Sequence, residues 1–160
     1  MDNNRNGFTL VEVMVVLIIL ALSFTVFLQA LNTGKNVRVK SELRTVQSVL
    51  LNSIQNQIRS RRFDENSGPI WTNPGELGID DGETILTQFD DIDDFHLYTQ
   101  EEIDDYSGFS ISVEVTYADE QQGFNIPDHN AVTNFKRVSV TVSHGILPDV
   151  TDIMIISSGI

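Results

Sequence analysis

"GFTLVEVMVVLIILAL" occupies Gly7–Leu22, and its reading decides the fold. It opens an apolar run from Phe8 to Leu31 that carries a single carboxylate, Glu12. At about 1.5 Å per residue a helix over that run extends roughly 36 Å, enough to cross a hydrocarbon core of about 30 Å. The run is longer than the roughly 7–15 apolar residues of a secretory signal and does not end in a small-residue cleavage site. A membrane anchor is the plain reading. It leaves Glu12 without a reason, because an ionised acid inside a bilayer costs roughly 2.5–3.5 kcal/mol. Either the carboxylate sits at headgroup depth, little more than a turn from the end, or it is kept for a purpose inside the membrane.

Charge divides the 160 residues into two unequal parts. Residues 1–62 hold eight basic residues against three acids, a net +5, whereas residues 63–160 hold two against twenty, a net −18. So acidic a C-terminal part repels phosphate backbones, which argues against nucleic acid as its partner, and it is suited to attract divalent cations. There is no cysteine, so disulfides and thiolate metal sites are excluded, while the compartment is left open.

A polar stretch, Met1–Gly7, ends in a glycine set directly against the apolar run, and Glu12 is the fifth residue after it. In these features the segment resembles the N-terminus of type IV prepilins and the pseudopilins of type II secretion. The resemblance implies that a prepilin peptidase cuts between Gly7 and Phe8, that Phe8 is then N-methylated, and that Glu12 serves assembly. It supplies a reason for the acid: a new amine on Phe8 meets Glu12 of a neighbouring subunit, and each charge offsets the desolvation of the other. It also implies a single-pass protein of the bacterial inner membrane with a periplasmic C-terminal domain, drawn later into a pilus or pseudopilus. Its partners would be other pilin or pseudopilin subunits and an inner-membrane assembly platform. Charge counting points the other way, because Lys35, Arg38, Lys40 and Arg44 outnumber Arg5 and so favour a cytoplasmic C-terminus.

Beyond Leu31 the helix is expected to continue. Val39, Leu43, Val46, Leu50, Ile54 and Ile58 recur at spacings of four and three, with Lys40, Arg44 and Gln47 off the stripe. Asn32-Thr33-Gly34 is a weak point, since glycine costs about 1 kcal/mol inside a helix. Ser67-Gly68-Pro69 ends the helical region, and the loop after it holds Trp71, read as a packing anchor. "GFSISVEVTY" and "FKRVSVTVSH" alternate as half-buried strands, and "DIMIISSGI" supplies a third, apolar on both sides. The expected fold is α+β and pilin-like, a long N-terminal helix packed on a small antiparallel β-sheet. Its divisions are a leader at 1–7, a transmembrane and assembly helix at 8–31, an amphipathic helix at 32–62, and an acidic globular part at 63–160.

"FDDIDDFHLYTQEEIDDYS" contains an internal echo at an offset of eleven residues. Its carboxylates, Asp90, Asp91, Asp93, Asp94, Glu101, Glu102, Asp104 and Asp105, offer the oxygen ligands that calcium takes, although the EF-hand pattern is absent. The plainer reading, and the preferred one, is a solvated acidic loop. Within it, "FDDIDDFHLY" is similar to a segment of minor pilin-like proteins of mannose-sensitive haemagglutinin pili. Catalysis finds little support. No serine elbow, phosphate-binding glycine loop or two-histidine helix spacing occurs, and Ser143 and His144 fall on opposite faces of a strand. These readings lead to a minor type IV pilin-like subunit rather than an enzyme. The rivals are a type II secretion pseudopilin and a membrane-anchored cation- or ligand-binding module that never polymerises.

Overall fold

The computed structural model describes residues 7, 9–66, 70–124 and 126–159. Within it the chain forms two compact units, Met1–Glu42 and Leu43–Ile160. One helix, α1 (Leu10–Arg59), runs through both. Its start is capped by Thr9, whose Oγ1 accepts a hydrogen bond from the Glu12 N–H at 3.2 Å. Thr9-x-x-Glu12 has the spacing of a capping box, and an acid in the first turn also suits the positive end of the helix dipole. Gly34 does not break the helix. Every described residue from Thr9 to Glu42 is exposed.

In the second unit α1 contributes Leu50, Leu51, Ile54 and Ile58 to the core, with Leu43 and Val46 packed at its margin. Val39, expected on this stripe, is 49% exposed and lies in the first unit. Gln47, expected off the stripe, is 2% exposed. Its Nε2 donates to the carbonyls of Val142 at 2.8 Å and Pro148 at 3.1 Å, so a side chain long enough to reach the sheet backbone is buried in place of an apolar one.

Among the described residues the sheet has five strands rather than three. β1 (Thr99–Gln100), β2 (Phe109–Ala118), β4 (Phe135–His144) and β5 (Leu147–Ser157) lie side by side in the order β1-β2-β4-β5. β3 (Pro127–Asp128) pairs with the Tyr117–Ala118 end of β2. All these pairings are antiparallel. The two short strands went unread because two residues carry no alternation. Phe109, Ile111, Val113, Val115 and Tyr117 on β2, and Val138, Val140 and Val142 on β4, are buried as their period of two demands. β5 is apolar on both faces by composition, yet only one is covered: Met154 is buried, while Ile153 and Ile155 are 41% and 37% exposed. Trp71 is a packing residue, edge-to-face with Phe63 at 5.0 Å and donating through Nε1 to Asn134 Oδ1 at 3.0 Å.

Candidate functional site

Two places in the molecule carry candidate functional residues. At the N-terminus, Gly7 is exposed just ahead of α1, and Glu12 is exposed in the first turn. Phe8 lies outside the described residues. From Leu10 to Leu31 the helix shows apolar side chains on every side, among them Leu17, Ile18, Phe24 and Phe27, each more than half exposed. So large an apolar surface is covered in use by lipid or by other helices, not by water. By length and composition α1 is able to cross a membrane.

The second place is built from the acidic stretch. "FDDIDDF" sets Phe89, Ile92 and Phe95 three residues apart, and all three are buried at 1% or less. That spacing suits a tight turn of three residues, and a 3-10 helix forms at Asp93–Phe95. The acids between the apolar residues cap the turn. Asp91 Oδ1 accepts from the N–H groups of Asp93 at 2.8 Å and Asp94 at 3.4 Å. Asp94 Oδ2 accepts from those of Asp90 at 2.8 Å and Asp91 at 3.1 Å. Asp91, Asp93 and Asp94 are therefore 1–3% exposed, which corrects the reading of this half as a solvated loop. Asp90 points outward to Arg62.

Lys136 completes this arrangement, fully buried on β4. Its ammonium donates to Asp93 Oδ1 at 2.7 Å, Asp64 Oδ2 at 3.1 Å and the Phe63 carbonyl at 2.5 Å, and lies 4.7 Å from the centre of the Phe63 ring. Asp64 also accepts from the N–H groups of Asn66 and Thr72, each at 3.0 Å. Burial alone would raise the Asp64 carboxyl, but those two N–H groups and the Lys136 charge hold it below its ordinary value. Asp91 goes the other way. Burial, then the hydrogen bond and negative charge of Asp93 and the charge of Asp94, push it up to about 8.

Sequence reasoning missed Lys136, Asp64 and Glu83. Lys136 was detectable, since it is in phase with the buried Val138, Val140 and Val142. Glu83 stands beside the capping turn, and burial followed by the Asp94 carboxylate push it up to about 7. Among the described residues, two sets of carboxylates bring an oxygen from each member within 4.8 Å of the others: Asp64, Asp91 and Asp93, and Glu83, Asp90 and Asp94. Neither includes Glu101, Glu102, Asp104 or Asp105. Those four are exposed in the loop after β1, around a surface concavity shared with Ser107 and Gly108. The two halves of the sequence echo thus do not converge as ligand sets: Ile92 and Phe95 carry the first into the core, whereas in the second Ile103 is only partly buried against it and Tyr106 is 37% exposed.

Compared with known proteins, residues 2–28 match the prokaryotic N-terminal methylation motif. The match supports a type IV pilin-like or pseudopilin protein. No match is found among curated proteins or among solved structures. The motif and the helix behind it fit anchoring in the inner membrane, and they point to a structural subunit that meets other pilin subunits and a prepilin peptidase. In this pilin-like fold the second half of α1 packs on a small antiparallel sheet.

Proposed function

We propose that the chain is a minor type IV pilin-like subunit, held in the inner membrane with its acidic domain in the periplasm, cut after Gly7, methylated on Phe8, and assembled into or priming a pilus. One observation carries this reading: the methylation motif at residues 2–28 opens a helix whose first half is apolar and exposed all round. Such a surface suits two successive environments, lipid before assembly and neighbouring helices after it. Glu12 is one reason the second is favoured. In lipid its charge is costly, whereas beside a neighbour's amine the two charges compensate. The absence of cysteine supports a minor rather than an abundant subunit, since many major pilins close a C-terminal loop with a disulfide.

The test is to follow Glu12→Val into filaments. The variant is expected to insert into membranes at least as well as wild type, because its insertion cost falls, and to be depleted from sheared pili, because a neighbour's amine is left unpaired. Recovery in pili at the wild-type level contradicts the assembly role. A chain absent from pili whose loss blocks protein secretion is instead a type II secretion pseudopilin.

A further inference from the structure

Immediately beyond the apolar run α1 changes character without a break. None of residues 32–42 belongs to the core, and each is exposed. They hold three basic residues, Lys35, Arg38 and Lys40, against one acid, Glu42. Arg38 Nε pairs with Glu42 Oε1 at 2.9 Å, a solvated bridge of small worth. Among the described residues no carboxylate pairs with Lys35 or Lys40. The segment thus presents uncompensated positive charge on a bare helix, next to a run able to cross a membrane.

We propose that Lys35, Arg38 and Lys40 form a collar that binds the anionic headgroups of the membrane that α1 enters, an inference that rests on the reading of α1 as an anchor. Along the helix Lys35 lies about 6 Å beyond Leu31, Arg38 about 10 Å and Lys40 about 13 Å. The headgroup layer extends roughly 5–7 Å beyond the hydrocarbon. Helical side chains lean toward the N-terminus, which here is the membrane end, so all three long side chains reach back toward the lipid. Lys35 enters the layer, and Arg38 and Lys40 stand close enough to feel its charge across a screening length of about 8–10 Å. At about 100° per residue the three are spread round the helix, with no gap wider than about 160°. That spread suits a shell of lipids better than one face of a protein partner. On this reading the basic residues after the apolar run serve lipid binding rather than topology.

The experiment places the full chain in mixed phosphatidylcholine–phosphatidylglycerol vesicles, with spin-labelled forms of each lipid reporting which occupies the first shell around α1. Phosphatidylglycerol is expected to be favoured about fivefold, the share of one basic residue at an anionic surface. The preference should fade in about 1 M salt, where the screening length is about 3 Å. Lys35→Gln/Lys40→Gln changes exposed positions to another good helix former, so it folds, and it should lose at least half of the preference. Arg59→Gln, exposed at the far end of the helix, should respond like wild type. Equal occupancy by the two lipids overturns the proposal, as does a preference unchanged in the double variant or lost in Arg59→Gln. A chain that washes off the vesicles at alkaline pH overturns the anchor reading as well, whereas one that stays inserted without a lipid preference refutes the collar alone. If, in that case, the double variant is depleted from sheared pili, the basic residues face the acidic domain of a second copy instead.

Discussion

Lys136 Nζ lies 2.7 Å from Asp93 Oδ1, and the two side chains are 0% and 5% exposed. The contact joins residues 43 apart, and the neighbouring Lys136–Asp64 contact joins residues 72 apart. One ammonium thus fastens the end of the helical region and the capping turn to the inner face of β4. A buried pair of this kind is not by itself a source of stability, because desolvation offsets the attraction, but breaking it leaves a buried charge uncompensated.

Lys136→Met is therefore expected to destabilise the globular unit by about 3–5 kcal/mol, the range for losing one partner of a buried pair. Adding Asp64→Asn and Asp93→Asn to it should recover much of the loss, since no unpaired charge is then left inside. Urea unfolding followed by Trp71 fluorescence measures both. A single variant as stable as wild type would show that the ammonium is not what holds these carboxylates.

The same cluster sets a pH dependence with two opposite limbs. Asp91 stays protonated in the fold up to about 8, whereas the unfolded chain releases that proton near the ordinary carboxylate value. Across that window the folded state binds more protons, so stability falls as pH rises, by up to about 1.4 kcal/mol per pH unit. Asp64, held below its ordinary value, contributes stability that is present above that value and lost as pH falls through the folded one. Asp91→Asn imitates the protonated carboxyl and keeps an oxygen for the N–H groups of Asp93 and Asp94. It should match or exceed wild type above pH 8 and flatten the decline from pH 5 to 8. An equally steep decline in the variant places the titrating group elsewhere.

Gln47 tests the seat of the helix on the sheet. Gln47→Leu strands the carbonyls of Val142 and Pro148 and is expected to cost about 1–3 kcal/mol. Gln47→Glu should cost more, since a carboxylate would face two carbonyl oxygens. Unfolding midpoints of the two variants give the comparison, and equal stability of both with wild type would mean that the sheet carbonyls find other donors.

The parts of this architecture that were legible in the sequence are those written in a local period. Alternation located β2 and β4, and spacings of three and four located the buried stripe of α1. The apolar run located the segment that matches the N-terminal methylation motif and is long and apolar enough to cross a membrane. What could not be read was compensation between distant residues. Nothing near Asp91, Asp93 or Asp94 announces that Lys136 will arrive from β4, so an acidic run read as solvated while the fold buries half of it. A closer use of the same rules finds part of this. Lys136 is in phase with three buried valines, and Phe89, Ile92 and Phe95 recur every three residues. Gln47 was misplaced for a related reason, because a long polar side chain on a packed face is accepted wherever backbone carbonyls are within its reach.

The central claim is that this chain is a prepilin-type subunit, and the mass of its mature N-terminus tests it most directly. After co-expression with a prepilin peptidase, the account predicts loss of Met1–Gly7 and gain of one methyl group on Phe8, with Gly7→Ala remaining at full length. An unchanged mass for the wild-type chain, with Gly7→Ala behaving identically, would contradict it.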